Sequence, residues 1–175
     1  MQYSTDGEML ATMRPRVRPL PREEWDDFTA AQPYNVFTTL AHHPALYQAW
    51  RLLNGALLDG VLPARDRELA ILRTAHHCGS EHERARHARL AREAGLTAQE
   101  IELVGRPDAL WSVEDQLVLQ VADDLYYGGD LTDATWAALC DRYDVAGRIE
   151  LIMLVAHSGM LAMVLRTLRV QAEEE

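Results

Sequence analysis

The stretch CGSEHERARH, residues 78–87, gathers one cysteine, two glutamates and two histidines within ten positions. These residue types support four kinds of role. A thiol can be oxidised or can attack an electrophile. Histidine and glutamate can exchange protons. Histidine, cysteine and glutamate can hold a metal. A serine three residues before a glutamate can simply cap a helix. Helical geometry separates these roles. On a helix from Ser80 to Gly95, Glu83, His87, Leu90, Ala91 and Ala94 share one face, with Arg84 at its border. Arg86, Arg89, Arg92 and Glu93 fall on the flanks or the far side. The apolar stripe therefore continues towards the helix start as a glutamate and a histidine one turn apart, close enough to hydrogen-bond each other. Such groups are costly to bury unless paired, and once paired they form a proton-transfer couple. His82 points roughly away from this face. Upstream, in RDRELAILRTAHH, Glu68 shares a face with Leu72 and Ala75, so it too is expected to point inward.

Plainer readings stand beside these. A Ser80/Glu83 capping box by itself accounts for both residues. An inward histidine is commonly a satisfied core residue. Cys78 stands just before a helix start, where a thiol can be activated, but it reads equally as a small buried side chain. The spacing of His76, His77, His82 and His87 is no zinc signature, and no metal is expected.

The elements that must position these groups are almost all helical. Pro21 opens a short helix over EEWDDFTAA, and QPYNVFTTLAHH reads as irregular. Pro44 starts a helix that stops at Gly60, and Pro63 precedes ARDRELAILRTAHHCG. Ser80, Thr97, Ser112 and Thr132 open the next four, and the last begins near Ala146. Ser80/Glu83 and Thr97/Glu100 have the form of full capping boxes. No useful strand alternation occurs. The expected class is all-α, a single-domain bundle of seven or eight helices over residues 19–175, after a flexible arm over 1–18. Asp115, Asp123, Asp124 and Tyr126 are further polar residues that nothing in the sequence singles out.

The chain has 175 residues and a net charge of -10. It is long enough to bury one core and acidic enough to repel phosphate backbones and anionic lipid. Nucleic acid and membrane are not expected partners. Two widely spaced cysteines and the lack of a secretory leader point to a reducing cytoplasm. The most apolar run, LIMLVAHSGMLAMVL at 151–165, is short for a bilayer and carries His157. It reads as a core helix or one shared between subunits.

The segment RDRELAILRTAHHCGSEHERARHARLAREAGLTAQEI resembles the core motif of the carboxymuconolactone decarboxylase and alkylhydroperoxidase D superfamily, and the likeness extends over roughly residues 20–170. In the peroxidase branch the motif is a glutamate, eleven residues, a CxxC pair enclosing a histidine, three residues and a final histidine. The resemblance places that glutamate at Glu68, the inner histidine at His82 and the final one at His87. The two cysteine positions hold Ser80 and Glu83. The proton-relay positions are kept while both redox sulfurs are gone. The decarboxylase branch, with Ser or Asn, then Glu, aromatic residues and His, is the better match. His82 and Arg84 depart from its aromatic positions and imply a more polar pocket.

The resemblance implies an alkylhydroperoxidase D-like fold, a homo-oligomer (trimer or hexamer), a small-molecule substrate, and no metal or organic cofactor. The expected activity is acid/base chemistry, decarboxylation or a related lyase or isomerase step, on a small organic acid, lactone or carbonyl compound. His87 is the expected acid/base and Glu83 tunes it. Glu68 and His82 relay protons, and Ser80 binds substrate beside the helix N-terminus. Two alternatives remain: a thiol antioxidant working through Cys78, and a non-catalytic oligomeric binding protein.

Overall fold

The computed structural model describes residues 14–106 and 109–171. Among them lie a 3-10 turn at Arg22–Glu24 and nine α-helices: α1 (Asp27–Ala31), α2 (Asn35–Leu40), α3 (Pro44–Leu58), α4 (Ala64–His77), α5 (Glu81–Glu93), α6 (Ala98–Leu103), α7 (Val113–Gly128), α8 (Asp133–Arg142) and α9 (Val145–Leu168). No strand occurs among the described residues. The all-α expectation is met. Of the expected N-terminal arm, residues 1–13 lie outside the described residues. Arg16 is tied down, its backbone N–H donating to the Leu168 carbonyl at 2.9 Å and its guanidinium to that of Thr167 at 3.0 Å.

Two local expectations are corrected. The stretch after Pro21 is not one helix. Trp25 is extended, with its indole N–H on the Leu20 carbonyl, and Asp26 then caps α1 by accepting from the Thr29 N–H. The second correction is α2, expected to be irregular. Its Val-Phe-Thr-Thr sequence is a poor helix former. Burial overrides that, because Val36, Phe37, Thr38 and Thr39 are all enclosed.

The chain divides into two compact units, one over 57–162 and one from the described parts of 1–56 and 163–175, with the divisions falling inside α3 and α9. The terminal unit is built on aromatic contacts. Phe37 packs edge-on to Phe28 and Tyr34, Tyr47 stacks on Trp50, and the Arg51 guanidinium lies 3.3 Å above the Phe28 ring.

The central unit is organised by α4, which packs against α5 and α7. Every residue from Asp66 to Ala75 except Arg67 is buried. A helix enclosed on nearly all sides must pair each polar group it carries. Asp66 accepts from both Arg142 and Tyr143. Glu68 meets His87. Arg73 forms a fork with Asp123, at 2.6 and 2.8 Å, and donates to the Val104 carbonyl. Thr74 bonds back to the Ala70 carbonyl. Around these pairs lies an apolar core that includes Leu69, Leu72, Val118, Leu119, Leu139, Leu151 and Leu154.

Helix α9 is longer than its apolar run. It has the length and composition of a membrane-crossing helix, with a mean hydropathy of 1.8 over its most apolar window. Leu151, Leu154, Val155, His157 and Ser158 are buried, whereas Ile149, Met153, Met160 and Met163 are exposed.

The Asp123 cluster makes an acid-stability prediction. Burial raises the Asp123 carboxyl. The hydrogen bonds from Arg73 and His77 outweigh that and hold it at about 2. A carboxylate depressed below its ordinary value stabilises the fold fully above that value and loses the contribution as pH falls through the depressed one. The window is therefore pH 4 to 2. Between those pH values, urea unfolding of the native protein should lose about 2 kcal/mol more than that of Asp123→Asn. Parallel losses in the two proteins would contradict this.

Candidate active site

The turn between α4 and α5 sets the site. Gly79 has φ 61, the left-handed region that favours glycine. Its N–H donates to the His76 carbonyl and the Ser80 N–H to the Ala75 carbonyl. That pair of bonds is a Schellman motif, with Gly79 as the left-handed residue after the Cys78 cap. It ends α4 and makes Ser80 the N-cap of α5 in the next residue. The reversal brings the buried face of α5 (Glu83, His87 and Ala91) onto α4. Gly79→Ala should cost about 1 kcal/mol of unfolding free energy in a chemical melt. An unchanged melt would mean that the turn does not need that backbone conformation.

Three of the expected site residues come together. His87 Nδ1 is 2.7 Å from Glu68 Oε2, and His87 Nε2 is 3.8 Å from Glu83 Oε2. All three are nearly closed off from solvent, with Glu68 1%, Glu83 4% and His87 5% exposed. The pairing differs from the sequence expectation in one respect. The hydrogen-bond partner of His87 is Glu68 across the helix pair, and not Glu83 one turn away, because 3.8 Å is beyond hydrogen-bond reach. Glu83 faces the opposite ring nitrogen instead. Its Oε1 is buried and has no hydrogen-bond partner among the described residues.

Ser80 and Glu83 form half of the expected capping box. The Ser80 hydroxyl accepts weakly from the Glu83 N–H at 3.4 Å, while the Ser80 N–H goes to Ala75, so Glu83 has no cap donor to reach back to. Its carboxylate is left to the interior. The complete box is at Thr97 and Glu100. His82 is half-buried, outside the three-residue cluster, with a buried Nδ1 that makes no hydrogen bond among the described residues.

Two contributors carried too little signal in sequence. Arg67 Nε lies 3.3 Å from Glu68 Oε1, although neighbours on a helix ordinarily diverge. His157 of α9 is buried, and Glu83 acts on it electrostatically. Burial holds the His157 imidazole below its ordinary range, and the Glu83 charge partly opposes that. His157 stood out in sequence only as a polar residue in an apolar run.

A carboxylate at Glu68 can accept only from a proton-bearing Nδ1 of His87, an arrangement that leaves Nε2 facing Glu83. Nε2 is then the atom that can take up or release a proton. Neither cysteine shares these bonds. Neither cysteine forms a disulfide, and Cys78 caps the C-terminal end of α4, where carbonyls rather than N–H groups converge. Among the described residues, no three His, Cys, Asp or Glu side chains are arranged to hold a metal.

Residues 44–124 match the sequence model of the carboxymuconolactone decarboxylase family. No protein of curated function matches the chain. Solved structures share its fold. A peroxidase-related protein of Ralstonia eutropha, described as an alkylhydroperoxidase AhpD core, is 19% identical with a TM-score of 0.74, over 89% of this chain and 87% of that one. A peroxidase-related protein of Silicibacter sp. is 16% identical with a TM-score of 0.75, over 93% and 91%. The debrominase Bmp8, as a cysteine-to-alanine variant in complex with 2,3,4-tribromopyrrole, is 15% identical with a TM-score of 0.71, over 92% and 93%.

Proposed function

We propose, for a chain that belongs to the carboxymuconolactone decarboxylase and alkylhydroperoxidase D-like superfamily, a cofactor-independent acid/base activity on a small organic acid, lactone or related carbonyl compound. One observation supports this most. His87 lies between two buried carboxylates, at 2.7 and 3.8 Å, and the residue at 83 that places the second is a glutamate.

Glu68 fixes the tautomer and orientation of His87 and stabilises the imidazolium when it forms. In a decarboxylation, the bond to the departing CO₂ breaks and its electrons pass into an enolate. Protonated Nε2 then delivers its proton to the new carbanionic carbon, and solvent restores it. Glu83 Oε1 is free to accept a hydrogen bond from a substrate hydroxyl or carboxylic acid. Ser80 and His82 supply further polar contacts at the start of α5. A homo-oligomer completes the proposal.

Burial of the whole cluster favours a second reading, in which Glu68, His87 and Glu83 are only a structural ion cluster. A thiol antioxidant reading would need Cys78 to react with peroxide faster than free cysteine. Turnover of a panel of 3-oxo acids, unsaturated lactones and hydroperoxides separates the three. Acid/base turnover that is lost in Glu83→Gln supports the proposal. Turnover unchanged by that substitution contradicts it.

A further inference from the structure

A cavity of about 230 Å³ opens between the ends of α4 and α6, and none of Glu68, Glu83 and His87 lines it. Its apolar wall is Leu72, Ile101 and Val104, and its polar groups are His76, Arg84, Arg106 and Glu102. We propose that this cavity binds a small organic anion, a carboxylate carried on an apolar body no larger than one ring.

The size sets the ligand class. Pockets for drug-sized ligands run from roughly 300 Å³ upward, so this one suits a fragment. The wall is continuous with the core, since Leu72 and Val104 are buried core residues. Gly105 shapes the opening, because a Cβ there would stand 2.6 Å from the His76 ring. Any side chain there would require the His76 ring to move.

Charge sets the sign. Arg106 forms no side-chain ion pair among the described residues. Arg84 spends Nε and Nη2 on Glu81, which leaves Nη1 as a donor. Among the described residues, Glu102 is the one carboxylate in the lining. Partial burial, and then the charges of His77, Arg73 and Arg84, hold the His76 imidazole below its ordinary range, with Asp123 opposing. Arg73 and Arg84 thus bring positive charge close to His76 even within a chain of net charge -10. A carboxylate head can take donors from Arg106 and Arg84 while its body covers the apolar wall.

The test is independent of any catalysis. Benzoate is titrated into the full-length protein, with benzyl alcohol as the uncharged match, and the His76 ring signals are followed by NMR. Benzoate should shift them saturably at about millimolar concentration, the scale expected for a ligand of this size. Benzyl alcohol should do so far less. Arg106→Gln should weaken benzoate about tenfold, the scale of one charge-assisted hydrogen bond. Glu102→Gln should tighten it, and His87→Gln should leave it unchanged. The proposal is overturned by no saturable shift, by equal binding of the alcohol, or by an Arg106→Gln variant that binds as the native protein does. An effect of His87→Gln on affinity would likewise overturn it, because the anion would then sit at His87.

Discussion

His87→Gln should reduce turnover of the substrate by roughly a hundredfold to ten-thousandfold while leaving the protein folded, the range for removing a positioned acid/base. Glutamine is the informative replacement. Its amide N–H₂ can still donate to Glu68, whose carboxylate would otherwise be buried without the partner it has at 2.7 Å. Alanine would strand that carboxylate and confuse a catalytic loss with an unfolding one. Glutamine cannot accept and return a proton at the position of Nε2. A folded variant with native turnover would remove His87 from the chemistry.

The largest expected stability effect lies elsewhere. Asp66→Ala should lower the free energy of unfolding by about 3 kcal/mol, at the lower end for breaking a buried ion pair. Asp66 is 2% exposed. Both of its oxygens accept from Arg142 at 2.8 Å, and Oδ2 also accepts from the Tyr143 hydroxyl at 2.5 Å. Arg142 continues to the Glu114 carbonyl, so this network ties α4 to α7 and α8. Burial, then the hydrogen bond to Asp66, pushes the Tyr143 hydroxyl far above its ordinary range. Removing the carboxylate leaves that hydroxyl and a guanidinium without their acceptor. Arg142 keeps some access to water, which limits the loss. Domains commonly have only about 5–15 kcal/mol in total, so chemical denaturation will resolve the change clearly. A loss under about 1 kcal/mol would mean that the network is dispensable.

Much of this was legible in the sequence, and the reason is periodicity. A helical wheel places Glu83 and His87 on the apolar stripe, and they are buried with Ala91 one turn further on. The same argument puts Glu68 with Leu72 and Ala75, and all three are buried. Gly79 and Ser80 mark the turn by the rules of helix ends. Periodicity fails where two helices meet. It gives the face of a side chain and not the register of the opposing helix. That is why the carboxylate bonded to His87 is Glu68, nineteen residues away, and not the glutamate one turn off. Asp66 escaped notice for the same reason, since its partners lie 76 and 77 residues on. α2 escaped because propensity describes an exposed chain, and Val36 to Thr39 are enclosed.

The proposed activity moves protons through His87 and not electrons through sulfur. It is tested most directly by comparing turnover of the same substrate by Glu68→Gln and Cys78→Ser. Glu68→Gln exchanges the carboxylate partner of His87 Nδ1 for an amide, and Cys78→Ser removes the one thiol of the α4–α5 turn. Proton transfer through His87 predicts a loss of at least about a hundredfold in Glu68→Gln and native turnover in Cys78→Ser. Native turnover in Glu68→Gln with loss in Cys78→Ser would contradict it.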